Sequence, residues 1–172
     1  MSANVINPSD HLNAESLAEL DSWVAKYPAE RKMSAVMAGL RIAQDQNGGW
    51  ISDDLIEAVA VYLDMEPIAA YEVATFYSMY ERDPVGKHKL SICTNISCML
   101  RGSDEVVNHL EKRLGIKLGE TTDDGNFTLK EVECLGACVN APMMQIGRQY
   151  HENLTPELLD SILDNLESGA GE

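Results

Sequence analysis

Lys87–Cys98 reads KHKLSICTNISC, and Phe127–Cys138 reads FTLKEVECLGAC. Each stretch carries apolar or β-branched residues in the manner of a strand, and each closes on two cysteines. The strands are predicted over 87–94 and 127–134. The pairs are Cys93-x4-Cys98 and Cys134-x3-Cys138, 35 residues apart, and the chain has no other cysteine. Outward from these stretches, 103–114 reads as a helix with Val106, Val107, Leu110 and Leu114 on one side. Pro142–Ile146 reads as a third strand. Thr155, as cap ahead of Pro156, opens a last helix with an apolar face of Leu158, Leu159, Ile162, Leu163 and Leu166. The order β, α, β, β, α predicts a small mixed sheet covered by two helices, with both cysteine pairs in loops just beyond strand ends.

Upstream of the turn-like Asp83-Pro84-Val85-Gly86 the period is helical. Leu17, Leu20, Val24 and Tyr27 form one stripe; Ala35, Val36, Gly39, Leu40 and Ala43 form a second. Leu55, Ile56, Val59, Ala60 and Leu63 form a third. Ser52 can cap the third helix, with Asp53 and Asp54 in its first turn, and Asn47-Gly48-Gly49 closes the second. Pro67 suits the start of a fourth helix over 67–75. The chain therefore reads as α+β, with a helical bundle over 1–82 followed by a cysteine-bearing sheet domain over 83–172.

At 172 residues and 45% hydrophobic content the chain can bury real cores. No apolar run reaches membrane-spanning length, and MSANVINPSDHLNAESL lacks the basic and apolar segments of a secretory signal, so a cytoplasmic setting without membrane insertion is expected. The formal charge of −15 is spread evenly, with 13 acidic against 5 basic residues in 1–82 and 15 against 8 in 83–172. Without clustered Lys and Arg, nucleic-acid binding is not expected. From Glu152 to Glu172 there are six acidic residues and no basic one, which suits a solvated helix face or docking to a basic partner.

Four cysteines in a reducing compartment read as ligands or redox groups before disulfides. Zinc is one candidate, though structural zinc pairs are commonly two to four residues apart on both sides. Thioredoxin-type exchange needs C-x-x-C, which neither pair has. A [2Fe–2S] cluster takes four thiolates, two per iron, and two separated pairs supply that set. A Rieske centre would need two histidines, and His11, His88, His109 and His151 all lie outside the cysteine motifs. The plant-type C-x4-C-x2-C run is absent as well.

The segments Cys93-Thr-Asn-Ile-Ser-Cys98-Met-Leu-Arg-Gly-Ser103, Cys134-Leu-Gly-Ala-Cys138-Val-Asn-Ala-Pro142 and Glu72-Val-Ala-Thr-Phe-Tyr-Ser78, with Gly49-Trp50-Ile51, resemble the E-subunit family of NADH:quinone oxidoreductase, respiratory complex I. The resemblance runs from about residue 16 to residue 166. It implies a helical bundle followed by a thioredoxin-like [2Fe–2S] ferredoxin domain. It further implies one [2Fe–2S] cluster per chain, with Cys93 and Cys98 on one iron and Cys134 and Cys138 on the other. FMN and NAD are implied on a partner, the NADH/FMN-binding flavoprotein, within a peripheral arm at the cytoplasmic face of the inner membrane. The same module serves soluble NAD-linked hydrogenases and formate dehydrogenases. A zinc-stabilised interaction module with no redox role is the reading from a different class.

Around the cysteines, Gly136 suits a tight turn or a close backbone approach. Thr94 and Ser97 are candidate donors to sulfur, and Met99, Leu100, Val139 and Met143 are candidates to shield the site from water. Two ferric ions, two sulfides and four thiolates sum to about −2, so nearby acids should lower the potential. One charge ~10 Å away, at an effective dielectric of ~20, contributes about 1.7 kcal/mol or ~70 mV. Glu131 and Glu133 are the candidates. There is no G-x-G-x-x-G and no P-loop, so no catalytic residues are expected here and hydride chemistry belongs elsewhere. Val73, Phe76, Tyr77, Met79 and Tyr80 form a dense apolar segment that either joins the two domain cores or contacts the flavoprotein.

Overall fold

A computed structural model describes residues 6–169. The chain forms two compact units, Met1–Pro84 and Val85–Glu172. In the first unit the helices are α1 (Pro8–His11), α2 (Ala14–Val24), α3 (Val36–Gln46), α4 (Asp53–Tyr62) and α5 (Pro67–Phe76), with a 3-10 segment over Ala29–Ala35. Leu20, Leu40, Ile56, Val59 and Leu63 share one buried core with Ile51. Gly39 is needed there, because a Cβ would sit 2.9 Å from Val59 Cγ1 and 3.3 Å from Leu20 Cδ1. The Ser52 hydroxyl accepts from the Leu55 amide at 3.3 Å as the cap of α4, and the Gly49 amide donates to the Gln44 carbonyl beyond α3. Tyr27, expected in the first stripe, lies past the end of α2 and is 37% exposed.

The second unit carries β1 (His88–Cys93), α6 (Ile96–Leu100), α7 (Ser103–Leu114), β2 (Phe127–Val132), β3 (Met144–Ile146), β4 (Gln149–His151) and α8 (Pro156–Glu167). The sheet is mixed, in the order β2-β1-β3-β4. β1 and β2 are parallel and level, from His88↔Phe127 to Cys93↔Val132, while β3 runs antiparallel to β1 and β4 antiparallel to β3. Leu90, Ile92, Leu129 and Met144 from the sheet form one core with Val106 and Leu110 of α7 and Leu159 and Leu163 of α8. The Thr155 hydroxyl accepts from the Leu158 amide and caps α8. Leu158, expected on the apolar face, is 40% exposed, because the core-facing line of that helix runs through Leu159 and Leu163.

In the second unit, two elements beyond the short 3-10 turn depart from the expected order. β4 is a three-residue edge strand, too short for its alternation to show in sequence. α6 is a five-residue turn of helix inside the first cysteine segment, opened by Asn95, whose Oδ1 accepts from the Ile96 amide at 2.8 Å. Thus the cysteines do not simply follow strand ends: Cys93 is the last residue of β1, Cys98 lies in α6, and Cys138 opens a 3-10 turn over Cys138–Asn140.

Candidate metal centre

Parallel pairing sets the site. Because β1 and β2 run side by side and end level, both cysteine segments leave the same end of the sheet. The Cys93 amide donates to the Met143 carbonyl at 3.2 Å, and the Thr94 amide donates to the Val132 carbonyl at 3.2 Å, so the end of β1 is fixed on both sides. Cys93 and Cys98 are 4% and 1% exposed and pack with Ala141 and Met143, against Val132, Leu135 and Ala137. Cys134 and Cys138 are exposed, and all four are free thiols.

Burial pushes the Cys98 thiol up to about 11, a hydrogen bond with Cys93 adds to it, and the Met143 backbone amide pulls the other way. The Cys98 thiol also feels the charge of Cys138, so three of the four sulfurs lie in one electrostatic neighbourhood. Among the described residues no three His, Cys, Asp or Glu side chains gather tightly enough to hold a single metal ion. The four cysteines instead fall as one buried pair and one exposed pair, and a [2Fe–2S] cluster would take four thiolates, two on each iron. Gly136, between Cys134 and Cys138, has φ +78°, the left-handed conformation for which glycine is suited.

The neighbours only partly follow expectation. Thr94 Oγ1 donates to Glu131 Oε1 at 2.7 Å, so its hydroxyl is committed to a carboxylate rather than aimed at sulfur, and it holds that carboxylate beside the strand end. The backbone carbonyl of Glu133 accepts from Cys93 Sγ at 3.6 Å. Met143 is buried, but Met99, Leu100 and Val139 are 49%, 77% and 85% exposed and do not shield the centre within this chain. A five-residue helix buries one face, and in α6 that face belongs to Cys98. None of the four histidines joins the cysteines: His109 pairs with Asp160 at 2.8 Å, His88 lies against Phe127, His151 is half-buried in β4, and His11 ends α1.

Sequence reading passed over the contacts that tie down the second cysteine segment. The Tyr150 hydroxyl donates to the Leu135 carbonyl at 2.8 Å, and Asn140 Nδ2 donates to Glu152 Oε2 at 2.7 Å. The amides of Asn153 and Leu154 donate to the carbonyls of Asn140 and Pro142. These contacts cross from a loop to an unforeseen strand and the turn behind it, and no local spacing announces them.

The model of the thioredoxin-like [2Fe–2S] ferredoxin family matches residues 20–167. The chain belongs to this family. The E subunit of the NADH-quinone oxidoreductase of Rickettsia bellii is 48% identical over 166 residues, covering 96% of this chain and 98% of that one. The mitochondrial NADH dehydrogenase [ubiquinone] flavoprotein 2 of Dictyostelium discoideum is 46% identical over 154 residues, covering 90% of this chain and 62% of that one. A NAD+-reducing [NiFe]-hydrogenase chain in its air-oxidized state superposes with TM-score 0.66 at 17% identity, over 78% of this chain and 23% of that chain, a likeness of fold. The resemblance to the E subunits of NADH:quinone oxidoreductase, read from the cysteine motifs, thus extends along nearly the whole chain. As a thioredoxin-like [2Fe–2S] ferredoxin the chain carries a [2Fe–2S] cluster, and the donor set of two cysteine pairs at one end of the sheet fits that group.

Proposed function

We propose that this chain is the electron-transfer subunit of an NADH-quinone oxidoreductase, with Cys93, Cys98, Cys134 and Cys138 as the cluster ligands. The observation that carries the reading is the level parallel pairing of β1 and β2, which delivers two cysteine pairs to one end of the sheet. Near-complete coverage of the Rickettsia bellii relative supports the choice of host complex. A [2Fe–2S] cluster supplies one-electron chemistry, whereas NADH delivers a hydride, so a flavin must stand between the two. This chain contributes the four sulfurs and their surroundings. Burial favours the protonated Cys98 thiol, so Cys98 would have to lose a proton to serve as a ligand, which would couple cluster binding to proton release. Thr94 holds the Glu131 carboxylate beside the end of β1, and a carboxylate near the cluster would oppose its reduction.

The partner in this reading is the NADH- and FMN-binding flavoprotein, in the peripheral arm at the cytoplasmic face of the membrane. No helix among the described residues is long and apolar enough to cross a membrane. Ile96, Met99, Leu100 and Val139 flank the cysteines as exposed apolar side chains, as a surface completed by another protein of the complex would have. In the bundle over 1–82, which serves as the assembly module, Phe76 is 80% exposed and Ile68 is 65% exposed, while Tyr80 is buried with its hydroxyl donating to the Met37 carbonyl.

Electron paramagnetic resonance of anaerobically purified protein, with iron, sulfide and zinc assayed on the same sample, tests the cofactor. A signal that appears only with dithionite, with about two irons and two sulfides per chain, supports the reading. Stoichiometric zinc without acid-labile sulfide overturns it. Removal of residues 1–82 should abolish co-purification with the flavoprotein; unchanged co-purification rules out the assembly role.

A further inference from the structure

The two cysteine segments are held by different means. The first is part of the regular fold, with Cys93 in β1 and Cys98 in a capped helix, both buried. The second is an exposed loop turning at Gly136; Leu135 and Ala137 pack against the buried cysteines, and its further hydrogen bonds come from residues later in the chain. On its C-terminal side the loop is fixed by backbone bonds from Asn153 and Leu154 and by the Asn140–Glu152 pair. On its N-terminal side, between Cys134 and Gly136, the hold is the phenol of Tyr150 on the Leu135 carbonyl at 2.8 Å. β4 sets the reach of that ring, since Tyr150 pairs with Gln145 of β3, and the edge position of the strand leaves the side chain 46% exposed.

We infer that Tyr150 is a positioning residue of the cluster site, whose hydroxyl fixes the Leu135 peptide and thereby presents the Cys134 and Cys138 sulfurs. This rests on the reading of the four cysteines as ligands. The peptide it grips is one residue from Cys134, and the next residue is the left-handed glycine, so the bond restrains the point at which the loop is freest to rotate. Without the hydroxyl, the Leu135 carbonyl turns to water and the loop samples conformations in which its sulfurs point away. A hydrogen bond of this kind is worth a factor of roughly two to ten in such an opening equilibrium.

The test uses the full-length, cluster-loaded chain and three proteins: wild type, Tyr150→Phe and Tyr150→Ala. Iron release to bathophenanthroline disulfonate is followed by loss of visible absorbance, and the urea midpoint of each cluster-free chain is measured alongside. Roughly two- to tenfold faster release from Tyr150→Phe, with an unchanged urea midpoint and an altered spectrum of the reduced state, is the result expected. Tyr150→Ala should release iron at least as fast. Release from Tyr150→Phe at the wild-type rate overturns the inference, and so does fast release confined to Tyr150→Ala, which would assign the hold to ring packing. Wild-type protein that binds zinc and lacks sulfide removes the ligand reading itself, an outcome visible before any variant is compared.

Discussion

Cys93-x4-Cys98 and Cys134-x3-Cys138 look alike on paper and are opposites in the fold. The first pair is 4% and 1% exposed, set in a strand end and a helical turn, whereas the second lies in an exposed loop gripped from a distance by Tyr150, Asn153 and Leu154. The difference teaches that one half of the site is made by folding and the other half by tethering. A buried sulfur keeps its position because moving it would open the core. An exposed one keeps its position through the packing of Leu135 and Ala137 beside it and the hydrogen bonds around it.

Thiol chemistry should show the contrast at its largest. In the cluster-free chain a thiol pushed up to about 11 holds on the order of a hundredfold less thiolate than one at its ordinary value of 9.0, before burial is added as a steric barrier. Iodoacetamide at neutral pH should therefore label the exposed Cys134 and Cys138 well ahead of the buried Cys98, read by peptide mass spectrometry over time. Equal rates at all four positions would erase the distinction. Truncation on either side is the next sharpest probe. Met143→Ala removes a side chain that is 1% exposed against Cys93 and Cys98 and should cost about 2–5 kcal/mol in urea unfolding. Val139→Ala, at a position 85% exposed, should stay within about 0.5 kcal/mol.

The smallest effect concerns pH at the strand that tethers the loop. Burial lowers the pKa of His151 below its ordinary 6.5, so the unfolded chain binds the extra proton more readily than the folded one. The neutral ring's contribution is present above about pH 6.5 and is lost as the pH falls through the lowered folded value. The urea midpoint should drop across that acid window in wild type and drop less in His151→Gln. Should the slope prove identical in both, His151 plays no part in holding β4 at acid pH.

Much of this was legible because the deciding signals are local. The stripe of Leu55, Ile56, Val59, Ala60 and Leu63 announced α4, and all five are buried; the Ser52 and Thr155 caps fall where their hydrogen bonds are made. The resemblance carried by the cysteine motifs placed the chain in its family, and the family match covers the same stretch of chain. The failures have a common cause in contacts that span the fold. Thr94 has a sulfur one residue away, yet its hydroxyl goes to Glu131 on the neighbouring parallel strand. Met99, Leu100 and Val139 carry the composition of a shield, but whether an apolar side chain faces in or out of a five-residue helix or a 3-10 turn depends on packing that period alone does not reveal. Tyr150 sits 15 residues from the carbonyl it grips, on a strand too short to register.

The level register of β1 and β2 has a consequence for how such a chain can change over generations. The turn tip at Asp123–Gly125 lies at the end of the sheet away from the cysteines, before β2 begins, so residues inserted there lengthen a surface loop and leave both sulfur pairs where they are. A single residue inserted at the start of Phe127–Val132 would turn every following side chain of that strand to the opposite face, putting Leu129 in the place of Lys130 and carrying Cys134 out of step with Cys93. Length is therefore free to drift on one side of the sheet and is held to the residue on the other.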